Sequence, residues 1–247
     1  MPNGDFLIAM RLRLGQSVYV THGHACEVCR NRGSSERAAT SVVDRLGRHA
    51  LTCGCGGDTI RRHNKVASTL QEAVGLQTHT EQMCGGDQSR PADVLFLQAG
   101  TNGKDVAVDV GIVYGNSKSF NFQADTKLPS ATTDAERLRK EKNGKAKTKV
   151  ESGGFIEFMP IISTHFGAWT PDAASFLTGL ATRASATSNN SPALNAHRVR
   201  NLFDCLSVCI QRQNALTILR RRGPLECKML RRAATLAGNM SSPIHSL

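Results

Sequence analysis

Aromatic side chains are scarce in this sequence: Phe, Tyr and Trp make up 5% of its 247 residues. Any core must therefore be packed from Leu, Val, Ile and Ala. Acidic residues are also short, 20 against 31 lysines and arginines, leaving a formal net charge of +11. A surface of that sign attracts polyanions, and phosphate backbones are the commonest polyanion. No run of about 18 apolar residues occurs, so no transmembrane span and no membrane partner are expected. The opening MPNGDFLIAMRLRLG lacks a long apolar stretch followed by a small-residue cleavage site, so no secretory signal is read there. Eight cysteines are too loosely spaced in a chain of this length for a secreted disulfide framework. These absences together lead us to expect an intracellular, reduced protein. What is present, 40% hydrophobic residues, suffices for one main domain with extensions.

Along the chain, residues 5–15 read as a short helix stopping at Gly15. Residues 22–57 are rich in Cys, His and Gly and read as a loop-dominated metal module, with a short helical stretch near 34–46. Ile60, Val66, Leu70 and Val74 fall at helical spacing over 59–74. A short strand follows at 76–81, then two β-rich runs at 92–98 and 105–114 separated by the turn sequence AGTNGK. Residues 134–150 are charged and helix-prone; 155–164 read as a strand that Pro160 confines to an edge or a bulge. A helix over 171–183 carries Pro171 in its first turn. After a polar linker, residues 194–222 read as a basic amphipathic helix with Leu202, Phe203, Leu206, Cys209, Ile210, Leu216 and Leu219 on one side. That helix is a candidate homodimer surface.

Cys26, Cys29, His49 and Cys53 follow the pattern C-x2-C-x19-H-x3-C. Zinc prefers four thiolate or imidazole ligands in a tetrahedron, and two close pairs supply them. With all four positions filled by protein, the site is structural, and the metal would supply much of the module's folding energy. Cys55, His22 and His24 are possible substitutes within the same segment. The competing reading is a set of unrelated thiols and a surface histidine.

Asp93 enters one β-rich run and Asp109 sits inside the next, flanked by Val108 and Val110. An acid within VAVDVGIV is costly without a task. Two carboxylates brought together by paired strands suit Mg²⁺ or Mn²⁺, which take oxygen ligands and activate water. Glu81 is a possible third acid. Arg61, Arg62, His63 and Asn64 open the preceding helix, where cationic side chains and free N–H groups can hold phosphates; Arg90 is a further candidate contact. The bland alternatives are an Asp109 bonded to backbone or arginine and a solvated basic turn.

The order CEVC, GRHALTC, IRRHNKVASTL, RPADV, VAVDV, a lysine-rich helix and FMPIISTHFGAW resembles the restriction-like endonuclease region at the C-terminal end of non-LTR retrotransposon reverse transcriptases. The segment IAMRLRLG resembles the stretch upstream of the zinc knuckle in such polyproteins. The resemblance covers roughly residues 6–180 and rests on several motifs in order. It implies an α/β (α+β) fold of the PD-(D/E)XK type, a mixed sheet flanked by helices, with an N-terminal zinc knuckle and a C-terminal helical extension. It implies this division: 1–21, linker and helix from an upstream polymerase region; 22–58, zinc knuckle; 59–183, endonuclease domain; 184–193, linker; 194–247, helical extension and tail.

The implied activity is metal-dependent nicking of target DNA, so that reverse transcription is primed there. Target DNA would be the main partner, element RNA a second, and the nucleus the place of action. Asp93 and Asp109 would hold Mg²⁺ or Mn²⁺, Glu81 would assist, and Cys26, Cys29, His49 and Cys53 would hold zinc. Gly111 stands where the family's lysine two positions after the second acid is usual, so the lysine is expected from the following helix, as Lys142 or Lys145. Ala92 separates Pro91 from Asp93, and Ala146 stands where an aromatic residue is expected. With no polymerase in these residues, the chain is expected to be a fragment or remnant of a polyprotein. The alternative function is a non-catalytic zinc-dependent module that binds DNA or RNA.

Overall fold

A computed structural model of the chain describes residues 3–19, 23–31, 42–80, 92–114, 135, 138–151, 154–186 and 192–221. The chain forms two compact units, one of Met1–Asp58 with Ala215–Leu247, the other of Thr59–Asn214.

The first unit begins with helix α1 (Asn3–Arg13), whose Asp5 and whose Arg11 and Arg13 match the two ends of the helix dipole. It buries Ile8, Ala9 and Leu12. Gly15, at φ 62°, provides the expected stop. Helices α2 (Glu27–Asn31) and α3 (Arg48–Thr52) are single turns. Of the helix expected near 34–46, residues 34–41 lie outside the described residues, and 42–46 are not helical. Val42 bridges to Ala25. The Asp44 carboxylate accepts the amides of Leu46, Arg48 and His49, so it starts α3 from outside rather than continuing a helix of its own.

The second unit is α+β. Helix α4 (Asp58–Val74) leads into β1 (Thr78–Thr80), β2 (Val94–Phe96) and β3 (Asp105–Val113). Residues 138–142 are helical, a π-helical turn spans Asn143–Lys147, and α5 (Thr148–Glu151) leads to β4 (Ile156–Thr164). Helices α6 (Pro171–Ala186) and α7 (Pro192–Arg220) follow. The four strands form one mixed sheet in the order β1-β2-β3-β4, with β3 and β4 parallel and the other pairs antiparallel. Pro160 thus sits on an outer strand, as its missing donor requires. A parallel pair needs a crossover, which the helical stretch 138–151 helps provide.

Alternation along the strands sorts the side chains into two faces. Val94, Phe96, Val106, Val108 and Val110 join Val66 and Leu70 of α4, Leu177 of α6 and Leu206 of α7 in the main apolar core. Leu95, Ala107 and Phe158 face the other way, packing with Val150 of α5. Asp93 and Asp109 belong to that second face.

Helix α7 differs from its sequence reading. Leu202, Leu206, Cys209 and Ile210 are buried as expected, but the buried line then runs through Asn214, Thr217, Ile218 and Arg221, not Leu216 and Leu219. Steps of three and four residues keep those polar positions on the same side as Ile210. The apolar stripe at Leu202, Leu206 and Ile210 joins the unit's own core. No helix among the described residues is long and apolar enough to cross a membrane.

Candidate metal centre and candidate active site

In the first unit, Cys26, Cys29, His49 and Cys53 come together with every ligand atom within 4.8 Å of the others. Cys29 Sγ lies 3.1 Å from Cys53 Sγ and 3.4 Å from His49 Nε2. Helix α2 carries Cys29, and α3 carries His49 and ends at Cys53, whose amide donates to the His49 carbonyl. Zinc bonds of about 2.0–2.3 Å place neighbouring ligand atoms of a tetrahedron roughly 3.5–3.8 Å apart, so this donor set fits a metal ion such as zinc with little movement. Cys55 and His24 are not members of the group, and His22 lies outside the described residues.

The electrostatics agree. Burial, then hydrogen bonding to the neighbouring thiols, pushes the Cys29 thiol well up, since both favour its neutral form. A bound dication reverses that preference. His49 is pushed down by burial and by the Arg221 cation, against the pull of Asp44, which favours the neutral ligand form of the ring.

Arg221 is the residue that spacing arguments missed. Its side chain is fully buried, and it donates to Cys26 Sγ (3.4 Å), the Cys55 carbonyl (2.6 Å) and Asp58 Oδ2 (3.0 Å). Arg220 completes the other side of Asp58 at 3.1 Å. Gly56, at φ +79°, cannot carry a side chain here: a Cβ would sit 2.8 Å from Val28 Cγ1 and 3.5 Å from the Arg221 guanidinium.

In the second unit, Asp93 stands just before β2 and donates its amide to the Val108 carbonyl at 2.8 Å. Since Val94 pairs with Val108, Asp93 lies across from Asp109. One Asp93 oxygen accepts from the Val110 amide at 2.7 Å and the other meets His63 Nε2 at 2.9 Å. Lys142 Nζ donates to Asp109 Oδ1, and also to the Val110 carbonyl at 3.1 Å. The stem of Lys142 crosses Gly111. A Cβ there would lie 2.6 Å from Ile162 Cδ1, 3.0 Å from Leu138 Cδ2 and 3.3 Å from Lys142 Cε. The space a side chain at 111 would need is already filled by Ile162, Leu138 and the stem of Lys142.

The two acids are held differently. Burial pushes Asp93 up, but the His63 hydrogen bond, its charge and the Val110 amide outweigh it, so Asp93 lies below its usual range. Burial dominates at Asp109, which lies above its usual range despite Lys142. His63 is raised by its bond to Asp93, against burial.

The remaining sequence candidates divide sharply. Arg62 is only 5% exposed and donates to Asn214 Oδ1 at 3.1 Å, so it braces the interior and is not presented to a phosphate backbone. His63 is committed to Asp93. Arg61 and Asn64 are exposed on α4. Glu81 and Arg90 lie outside the described residues, as does the side chain of Lys145.

Fold and sites together define an α+β protein with a mixed four-stranded sheet flanked by helices and a Cys3His group able to hold a metal ion. Comparison with protein-family models and with curated proteins finds no match for the chain.

Proposed function

We propose that the chain is a divalent-metal-dependent DNA endonuclease of the PD-(D/E)XK type, from the C-terminal end of a non-LTR retrotransposon reverse transcriptase. The observation that carries this reading is the meeting of Lys142 with Asp109 over Gly111, beside Asp93. A lysine supplied by a helix takes the place of one two residues after the acid.

Asp93 and Asp109 would hold Mg²⁺ or Mn²⁺, as an all-oxygen pair suits a hard cation. The metal would activate water and stabilise charge on the phosphoryl group. Lys142 offsets the negative charge that builds as the phosphodiester is attacked. Priming needs a free 3′-hydroxyl, so the bond broken is the one between phosphorus and O3′. His63 keeps Asp93 ionised and aimed, and Arg61 and Asn64 lie on the exposed side of α4, where a DNA backbone would be met. Acting on chromosomal target sites places the work in the nucleus.

The test is nicking of supercoiled plasmid with Mg²⁺. Asp93→Ala and Asp109→Ala should abolish nicking, and Lys142→Ala should slow it about 10²–10³-fold, the usual loss for one transition-state donor. Nicking by Asp109→Ala at the wild-type rate would overturn the assignment.

A second reading has its own support. Both carboxylates already have side-chain nitrogen partners, His63 and Lys142. A module that binds DNA or RNA through its net positive charge would use them only as internal ion pairs. It would show salt-dependent binding, no nicking, and no effect of Asp93→Ala on affinity.

A further inference from the structure

We propose that Arg221 is a positioning residue of the Cys26, Cys29, His49 and Cys53 metal centre, and that metal binding and the seating of the last turn of α7 are one coupled event.

A fully buried arginine is rare unless paired, and the pairing here is informative. One arm of the fork is taken by Asp58 and the Cys55 carbonyl; the other points at Cys26 Sγ. Three thiolates and a neutral imidazole around a dication carry one net negative charge. Arg221 neutralises it, and Arg220 does the same for Asp58. A metal-loaded group with this net charge is therefore matched by the guanidinium that touches it. The guanidinium N–H aimed at Cys26 Sγ at 3.4 Å is the contact through which Arg221 would orient that ligand. N–H donors to ligand atoms commonly tune metal sites in this way.

The same turn is fixed by packing. Ala215, Thr217 and Ile218 are buried. The Tyr19 hydroxyl donates to the Ile218 carbonyl at 3.1 Å. Gly47, at φ +75°, lets Ile218 approach: a Cβ there would lie 3.1 Å from Ile218 Cδ1 and 2.9 Å from Val18 Cγ2. Asp44, Gly47 and His49 lie within a few residues, so the turn that holds Ile218 is also the turn that aims the histidine ligand. Coupling of this kind is reciprocal: whatever factor the metal adds to the seating of the turn, the seated turn adds to metal affinity.

The experiment uses the full chain and zinc alone. Zinc affinity is measured by competition with a chromogenic chelator for wild type, Arg221→Ala and Arg221→Lys. Arg221→Ala should bind about 10–100-fold more weakly, with Arg221→Lys in between, since it restores the charge but not the fork. Affinity equal to wild type in Arg221→Ala would overturn the proposal. Should Arg221→Ala fail to fold, amide exchange on the wild type decides. Chelation of zinc should release residues 215–221 while the buried positions Leu202 to Ile210 keep their protection. Equal protection of 215–221 with and without zinc would overturn it.

Discussion

Gly111 shows how an absent side chain can matter as much as a present one. It has no positive φ to justify it; its role is to leave room for Lys142, Leu138 and Ile162. Gly111→Ala should therefore destabilise the second unit by about 1–3 kcal/mol through overpacking and should displace Lys142 from Asp109. Urea unfolding would measure the first effect. Nicking assays on the folded variant would measure the second, with a loss comparable to that of Lys142→Ala. A fully stable and active Gly111→Ala would show that the lysine needs no such room. Sequence could name Lys142 and Lys145 as candidates but could not choose between them, because helix register over a charged run gives no apolar face to count from. It could not foresee that His63 faces Asp93 or that Arg62 is buried, since both are polar residues whose partners are distant in the chain.

At the scale of elements, the order of helices and strands was legible because the apolar spacing changes cleanly between α4 and the three strands after it. The Cys3His group was legible because its chemistry is carried by spacing alone. The end of α7 was not. A hydrophobic count follows Leu216 and Leu219, while the buried line carries Asn214, Thr217 and Arg221. Asn214 earns its place by donating to the His165 carbonyl at 2.7 Å, as Gln211 does at 3.1 Å, which ties α7 to the end of β4.

This β4–α7 junction makes a pH prediction. Burial, then the Arg62 cation, holds His165 down at about 4. Its folded value is below its unfolded one, so between about pH 4 and 6.5 the unfolded chain binds more protons and stability falls with acidification. Going from about pH 7 to about pH 5 should cost about 2 kcal/mol from this residue. Denaturant titrations at the two pH values would measure it, and His165→Phe, which keeps a ring against Tyr114 and Phe166, should flatten the dependence. An unchanged slope in that variant would assign the acid sensitivity elsewhere.

For the whole molecule, the contrast is between a unit with a broad apolar core and a unit that adds to its buried side chains a Cys3His group able to hold a metal ion. Calorimetry should resolve two transitions, and chelation should lower only one of them, as expected when metal binding energy is folding energy. A single transition shifted as a whole would contradict that division. The family-level reading of the sequence divided the chain in linear order, with the knuckle at 22–58 and the last helix apart from it. By contact, Met1–Asp58 and Ala215–Leu247 fall in one compact unit. Linear motif order carries no signal for such a pairing.

The distance along the chain between Cys26 and Arg221, 195 residues, sets a timetable for biosynthesis. At about 5–20 residues per second, roughly 10–40 s pass between the ribosome's delivery of the first ligand and of the arginine that seals the site. During that interval the four candidate ligands have been made but their guanidinium partner has not. Metal captured early would sit in a looser cage, still open to exchange with cellular chelators and to oxidants. If Arg221 acts on the site as proposed, a chain stopped before the end of α7 would bind metal more weakly than the full one.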